Sequence, residues 1–309
     1  MNRPSWTAKE DKDLLKAYEK KPMSVSDKRF SRTYKSDRSP EAIRIRIGSL
    51  LQKHGLRDRE LENDDDLYPA VLTFDIETLP IVAYTWDVWG VNINKEQIIK
   101  DWCVLSWSAK WVNSDVIVSD CLTPKEALKR DDKRIVTSIW KLLDEAEVVI
   151  VQNGRRFDVP KLNTRFWKYQ MPHNSSFKII DTLDSAKRSF GMTFNSLDYL
   201  GEYLGAGRKL KTDLSLWIRC DNGDQDALDT MKTYNENDVI LLESVYHKMR
   251  AFITNHPKLT TYEKAVGVCP VCFSRNYSDI GLYTAVIRQY LEFRCKDCGS
   301  VWHSTKCER

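Results

Sequence analysis

Apolar and polar residues follow three successive patterns along the chain. Residues 4–55 have apolar positions at helical spacing, which predicts three short helices. Residues 69–253 begin with short apolar or alternating runs and continue with helical and strand patterns in turn. Residues 261–309 combine two C-x-x-C pairs with a β-rich stretch. We therefore expect domains at residues 1–57, 69–256 and 261–309, with a charged, unpatterned linker at 58–68.

The first helix of the N-terminal part has a recognisable start. Ser5 or Thr7 can accept its first free N–H groups, and Glu10 completes a capping box with Thr7. Its expected apolar face consists of Leu14, Leu15 and Tyr18. A second helix is expected over Ser24–Tyr34.

The third helix is expected to open at Ser39-Pro40-Glu41 and to end at Gly55, because proline is favoured at the first helical position. Its expected buried stripe consists of Ile43, Ile47, Leu50 and Leu51. Arg44 and Arg46 lie off that stripe. The stretch SWTAKEDKDLLKAY, followed by RSPEAIRIRI, resembles a Myb or SANT three-helix domain. The resemblance implies DNA contact by the third helix, with Arg44 and Arg46 as candidates. Some relatives bind protein instead.

The middle part has the element order of a mixed α/β domain. Three strands are expected first, at Ala70–Asp75, Cys103–Trp111 and Asp115–Cys121. Helix and strand then alternate over Ile135–Glu147, Val148–Val151, a helix from Pro160, Lys178–Asp181, Ser196–Leu204 and Gln225–Arg250. This order is that of the ribonuclease-H-like fold, a mixed sheet flanked by helices.

Acidic residues stand at three positions in this domain. Asp75 and Glu77 are two residues apart on a predicted strand, so both point to one face. Two adjacent carboxylates are costly unless a cation neutralises them, although a strand can simply end in acidic residues. Asp158 follows a turn at Asn153-Gly154 and could be a metal ligand, the cap of a helix that Pro160 starts, or both.

The third position is on the last helix of the domain. Tyr234 and Asp238 are i and i+4, so a phenol and a carboxylate share one helix face. Alone, this is an ordinary amphipathic helix. In order, D-x-E, N-x3-F-D and Y-x3-D resemble the three motifs of the DEDD exonuclease superfamily. The tyrosine places the resemblance in the branch that includes the proofreading domain of family B DNA polymerases. The sister branch has histidine where this chain has Thr233.

The resemblance implies a role for each matched residue. Two Mg²⁺ or Mn²⁺ ions would be held by Asp75, Glu77, Asp158 and Asp238. Tyr234 would orient the attacking water, and Asn153 would lie near the substrate. Many relatives have histidine before that asparagine, whereas this chain has Gln152. The chemistry agrees, because hard cations prefer carboxylate oxygens, and two ions about 4 Å apart stabilise both oxygens of a phosphoryl displacement.

The C-terminal cysteines have the spacing of a metal site. Cys269-x2-Cys272, 22 intervening residues and Cys295-x2-Cys298 resemble a zinc ribbon, which implies one structural Zn²⁺. A redox or iron role is the alternative. Such a short segment has little core, so a metal would stabilise its fold. The remaining cysteines of the central domain, Cys103, Cys121 and Cys220, are interpreted as core or incidental residues.

Charge and composition narrow the function further. Residues 1–60 carry a net charge of +7, residues 257–309 carry +3, and the middle carries −6. Basic ends around an acidic centre suit phosphate contact at the ends and cations in the centre. No apolar run reaches the roughly 18 residues of a membrane span, and no export signal is evident. The cysteine pattern favours a reducing compartment.

We therefore expect a cytoplasmic protein of a prokaryotic or phage-infected cell, with no membrane association. The leading hypothesis is a metal-dependent 3′→5′ exonuclease, with DNA favoured over RNA because of the Myb-like part. One alternative is a structure-specific endonuclease or an RNA exonuclease on the same fold. The other is a DNA-binding regulator with a non-catalytic nuclease-like core. Trp86 and Trp89 could stack on bases.

Overall fold

A computed structural model describes residues 7–20, 46–47, 50, 68–112, 114–263 and 267–307. The chain divides into two compact units, Met1–Tyr68 and Pro69–Arg309. Among the described residues, no helix combines the length and apolar character needed to cross a bilayer.

In the N-terminal unit, helix α1 spans Ala8–Lys20. The predicted capping box forms at its start, since Glu10 N–H donates to Thr7 Oγ1 over 3.2 Å and Thr7 N–H donates to Glu10 Oε2 over 2.7 Å. Leu14, Ile47 and Leu50 are buried, as their helical spacing predicts. The second predicted helix, most of the third and the linker before Tyr68 lie outside the described residues.

The second unit is built on a five-stranded mixed sheet in the order β5-β4-β1-β6-β7. In chain order, the first seven strands of this unit are β1 Val71–Leu79, β2 Val82–Ala83, β3 Ile98–Lys100, β4 Cys103–Trp111, β5 Ile117–Cys121, β6 Val148–Val151 and β7 Lys178–Asp181. Strands β1, β6 and β7 are parallel, whereas β4 is antiparallel to both of its neighbours. Strands β2 and β3 form a separate antiparallel pair.

The described part of the second unit also contains eight α-helices. They are α2 Pro124–Lys129, α3 Lys133–Glu145, α4 Asp158–Lys168, α5 Thr182–Ser189, α6 Leu197–Tyr203, α7 Leu214–Asp221, α8 Gln225–Met249 and α9 Thr260–Glu263. Helix α8 packs against β1, β4, β5 and β6, and α3 packs against β4 and β5. Every residue from Cys103 to Ala109 is buried, so both faces of the central strands are covered. The predicted fold class, a ribonuclease-H-like mixed sheet flanked by helices, is confirmed.

Strand β1 is longer than predicted, and this changes where the acidic pair lies. Its pairing with β4 continues past Asp75 to Leu79, with an irregularity between Glu77 and Thr78. Asp75 and Glu77 therefore lie within a paired strand rather than at its end, so the backbone around both carboxylates is held by the sheet. Helices α2, α5 and α7 and the β2–β3 pair were not predicted.

The C-terminal part contains a small antiparallel sheet in the order β10-β9-β8. Its strands are β8 Tyr277–Ala285, β9 Arg288–Cys295 and β10 Val301–His303. The β-rich character predicted between the two cysteine pairs is confirmed, because β8 and β9 join them.

Candidate active site

Three carboxylates meet where α8 crosses β1. Asp75 and Glu77 project from β1 and Asp238 from α8, and one ligand oxygen from each lies within 4.8 Å of the others. Asp238 is only 1% exposed. The i, i+2 spacing on a strand and the packing of α8 over β1 bring these residues together, although 161 to 163 positions separate them in sequence.

Asp158, the fourth predicted acid, lies against the same strand. It is 2% exposed, and its Oδ1 accepts a 3.0 Å hydrogen bond from the N–H of Ile76, the residue between Asp75 and Glu77. The interpretation of Asp158 as a helix cap is wrong. Phe157 is the N-cap of α4, and no side chain caps that helix. The carboxylate of Asp158 instead turns towards β1, where a strand N–H is available.

Burial raises the pKa values of these acids, because a charged carboxylate loses its hydration there. The pKa of Asp75 is well above its usual range, through burial first and then repulsion by Asp158, Glu77 and Asp238. Burial also raises the pKa of Glu77 to about 7 and that of Asp158 to about 7. An added positive charge would relieve the cost of ionising all of these groups.

Lys209 supplies one positive charge to the cluster. It lies in the loop between α6 and α7, and its Nζ is 2.6 Å from Asp238 Oδ2. The same Nζ is 5.1 Å from the centroid of the Tyr234 ring. The ion pair with Asp238 raises the pKa of Lys209 against the opposing effect of burial. No sequence pattern indicated Lys209, because it lies in an irregular loop outside each acidic motif.

Tyr234 is positioned as the helical spacing predicts. Its ring is 7% exposed and packs edge to face on Trp217 of α7, with centroids 6.0 Å apart. Lys209 and Asp238 both influence the ionisation of its hydroxyl. Burial raises the pKa of Tyr234, so the phenol stays protonated at neutral pH and can both donate and accept hydrogen bonds.

A buried amide holds Asp75 in place. Asn235 Nδ2 donates to Asp75 Oδ2 over 2.6 Å, and Ser106 Oγ donates to Asn235 Oδ1 over 3.3 Å. Asn235 is fully buried. This contact was missed from the sequence. The available signal was its i−3 position relative to Asp238, which places it near the same face of α8.

The turn after β6 is held by the side chain of Asp181 and has a restricted backbone shape. Asn153 has a left-handed φ of 62°, and its N–H donates to Asp181 Oδ1 over 2.9 Å. A Cβ on Gly154 would come within 2.5 Å of the Val151 side chain, so only glycine fits there. Gln152 bonds to Asn195 O over 2.9 Å and accepts from Thr182 over 2.5 Å. Gln152 therefore has structural partners at the position where many relatives have histidine.

The donor set fits hard divalent cations. Oxygen ligands from carboxylates are what Mg²⁺ and Mn²⁺ prefer. Oδ1 of Asp238 is buried and has no hydrogen-bond partner among the described residues, which is unusual for a carboxylate oxygen unless a ligand satisfies it.

The four cysteines of the C-terminal part also form one cluster, with all four sulfurs within 4.8 Å of one another. Sγ of Cys269 is 3.7 Å from that of Cys298, and Sγ of Cys272 is 3.6 Å from that of Cys295. Four sulfurs bound tetrahedrally at about 2.3 Å from a zinc ion would be about 3.8 Å apart. The observed separations fit a four-cysteine zinc site.

Two similar turns carry the cysteine pairs. Cys269 N–H donates to Ser274 O over 2.8 Å, and Cys295 N–H donates to Ser300 O over 2.9 Å. Phe273 and Gly299 occupy equivalent positions and have φ values of 64° and 80°. The equivalence of the two turns explains how both C-x-x-C pairs face one point. Of the three cysteines interpreted as core or incidental residues, Cys103 and Cys220 are buried and Cys121 is half-buried.

The two arginines predicted to contact nucleic acid differ in what the structure describes. Arg44 lies outside the described residues. Arg46 donates to Asp11 of α1 through Nε over 2.7 Å and through Nη2 over 2.6 Å. This two-point pair links the third predicted helix to the first, and it competes with any contact between Arg46 and phosphate.

A family model and a solved structure are each similar to part of this chain. Residues 112–250 match the RNase_H superfamily. The matched span contains Asp158, Tyr234 and Asp238 but not β1. A solved family B DNA polymerase from the hyperthermophilic archaeon Pyrobaculum calidifontis is similar at 16% identity and a TM-score of 0.45. That similarity covers 64% of this chain and 27% of the polymerase chain. No curated protein matches. The fold and the superfamily match support a nuclease.

Proposed function

We propose that the protein is a metal-dependent 3′→5′ exonuclease that hydrolyses phosphodiester bonds, with DNA preferred over RNA. The supporting observation is the convergence of Asp75, Glu77 and Asp238 within 4.8 Å, with Asp158 bonded to the same strand. A recognition module gains nothing from buried, mutually repelling carboxylates, whereas a two-cation site requires them.

Asp75, Glu77, Asp158 and Asp238 would hold two Mg²⁺ or Mn²⁺ ions. These ions, when bound, supply acidity to water and neutralise charge on the attacking and leaving oxygens. The protein's own residues do the positioning. Asn235 fixes the rotation of the Asp75 carboxylate, and Ile76 N–H fixes that of Asp158. Both ligands are thus held before substrate arrives, which lowers the reorganisation needed for reaction.

Tyr234 would hold the attacking water by a hydrogen bond. A phenol is a poor base at neutral pH, and burial raises the pKa of Tyr234 further, so its role is orientation rather than proton removal. Lys209 pairs with Asp238 and offsets part of the cluster's negative charge, which reduces the repulsion of an approaching phosphate group.

The 3′→5′ direction rests on the motif resemblance, and the DNA preference rests on the Myb-like N-terminal part and its charge of +7 over residues 1–60. We also propose that Cys269, Cys272, Cys295 and Cys298 bind one structural zinc ion in a zinc ribbon, because their sulfur separations fit tetrahedral coordination. Arg44 and Arg46 remain candidate contacts to nucleic acid.

One assay tests the proposed activity. Single-stranded and duplex DNA and RNA, labelled at either the 3′ or the 5′ end, are incubated with the protein and Mg²⁺. We expect labelled mononucleotides from 3′-labelled DNA and a ladder of shortened products from 5′-labelled DNA. Internal cuts would indicate an endonuclease, faster cleavage of RNA an RNA exonuclease, and no cleavage a DNA-binding regulator.

Two variants show whether cleavage belongs to this site. Asp75→Asn removes a charge with little change in volume and should abolish cleavage while the protein stays folded. Asp229→Asn is the matched control, because Asp229 is an exposed aspartate on the same helix as Asp238. Undiminished turnover by Asp75→Asn would contradict the assignment.

A further inference from the structure

The segment between β2 and β3 presents large aromatic side chains to solvent. Trp86 is 102% exposed, Trp89 is 86% exposed and Tyr84 is 75% exposed. Between Tyr84 and Ile93 the only charged residue is Asp87. The segment therefore offers flat apolar rings and no cationic side chain for phosphate.

The base of this segment is anchored. Arg130 donates through Nη1 to Pro80 O over 2.7 Å and to Asp101 O over 2.6 Å. These two bonds connect the start and the end of the segment between β1 and β4, which contains β2, the aromatic residues and β3. Asp221 of α7 accepts hydrogen bonds from Arg130 Nε over 2.9 Å and from Lys100 Nζ over 3.0 Å. Tyr84 N–H also donates to Gln97 O over 2.9 Å. The rings therefore project from a fixed base.

That base is close to the candidate active site. The segment between β1 and β4 begins at the end of β1, two residues after Glu77. Helix α7 contacts both the candidate active site and the base of this segment. Its Trp217 packs on Tyr234, and its Asp221, four residues later, binds Lys100 at the base of the segment. Four residues of helix advance about 6 Å, so the anchor and the contact with Tyr234 are one helical turn apart.

We propose that Trp86 and Trp89 bind unpaired nucleobases of a single-stranded 3′ end by stacking, a few nucleotides from the phosphodiester at the acidic cluster. The inference rests on the proposed function and adds to it a single-stranded substrate. Bases within a duplex already stack on each other, so exposed rings favour unpaired bases, and every base has a face to offer. The lack of cationic side chains between Tyr84 and Ile93 implies that the bases, rather than the phosphates, are recognised there.

Binding of fluorescein-labelled 12-mers, measured by anisotropy without added Mg²⁺, tests this inference independently of cleavage. The arms are a deoxythymidine strand, a uridine strand, an abasic strand of the same length, and a blunt duplex. We expect the base-bearing single strands to bind roughly ten-fold or more tightly than the abasic strand, which has the same phosphates without bases. Comparing the affinities of the thymidine and uridine strands shows whether the protein binds single-stranded DNA or RNA more tightly.

Substitutions locate the effect. Trp86→Ala and Trp89→Ala should each remove most of the preference for bases, and Trp86→Phe should retain much of it because a ring remains. Trp167→Ala is the matched control, because Trp167 is 85% exposed on α4, and it should bind as the unsubstituted protein does. Equal affinity for abasic and base-bearing strands, or unchanged binding by both alanine variants, would overturn the inference. Tryptophan-dependent binding to phosphatidylcholine vesicles in place of the strands would also overturn it. Since no arm requires catalysis, cleavage in the end-label assay can stand while this inference fails.

Discussion

Lys209 Nζ lies 2.6 Å from Asp238 Oδ2, so the acidic cluster includes its own cation. The aspartate is buried, whereas the lysine side chain is 31% exposed, so Lys209 also has access to solvent. One lysine cannot balance four carboxylates, which agrees with the raised pKa values of Asp75, Glu77 and Asp158. In the proposed function, divalent cations neutralise the remaining negative charge of the carboxylates.

Replacing Lys209 with methionine should destabilise the metal-free protein, because Asp238 would lose its counter-ion. The expected loss lies between the ~1 kcal/mol of an exposed pair and the ~3 kcal/mol or more of a buried one. Urea unfolding without Mg²⁺ measures it, with exposed Lys211→Met as the control. Added Mg²⁺ or Mn²⁺ should reduce the difference in unfolding free energy between the Lys209→Met variant and the unsubstituted protein. A difference that neither ion changes would argue against a cation site.

Tyr234→Phe should be slowed but active, whereas Asp238→Ala should be inactive. Losing one positioning hydrogen bond costs a few kcal/mol at most, which corresponds to roughly ten- to a thousand-fold in rate. Single-turnover cleavage of 5′-labelled DNA measures both variants. Equal inactivation of both, with the fold preserved by circular dichroism, would mean that the tyrosine has a different role.

The purified protein should contain one zinc ion per chain. Cys269→Ser should lose the ion together with the structure of the C-terminal sheet, because the small segment depends on metal for its fold. Elemental analysis and limited proteolysis check this. Cys307→Ser is the control, because Cys307 is exposed and is not part of the four-cysteine cluster. Protein prepared under reducing conditions without zinc would contradict the assignment.

The two N-terminal arginines should respond differently to substitution. Arg44→Ala should weaken duplex DNA binding and reduce the slope of log affinity against log salt by about one. Arg46→Ala should in addition lower stability, by about 1 kcal/mol, because it removes the ion pair with Asp11. Anisotropy across a salt series and thermal unfolding of the full chain separate these effects. Salt-independent binding, or none, would favour a protein-contact role for this part.

Stability should fall in mild acid through His256. Burial lowers the pKa of His256 to about 4, below its usual 6.5, and its ring stacks on Tyr246. Because the folded state disfavours the protonated ring, stability is full above pH 6.5 and falls as pH drops towards 4. This group alone should cost about 2 kcal/mol between pH 7 and pH 5. Urea unfolding of His256→Gln should show a shallower decline over that interval. If the unfolding free energies of both proteins fell equally between pH 7 and pH 5, His256 would not be the cause of the acid destabilisation.

The sequence alone determined which residues are candidates for the proposed chemistry. Spacing of i, i+2 on a strand fixes that Asp75 and Glu77 share a face, and i, i+4 on a helix does the same for Tyr234 and Asp238. The capping box of α1, the buried strand Val148–Val151 and the clustering of the four C-terminal cysteines were predicted in the same way. These are local regularities, so backbone geometry transmits them directly from sequence to structure.

The tertiary structure decided which distant groups meet. The pairing of β1 with β4 placed Asp75 and Glu77 inside the strand, and the strand N–H of Ile76 drew Asp158 away from the helix cap. Lys209 and Asn235 joined the cluster through a loop and a packed helix face. Contacts between residues far apart in sequence depend on packing of whole elements, which no local period encodes. For that reason the motifs could be read from the sequence, whereas the charge balance and positioning of the site required the fold.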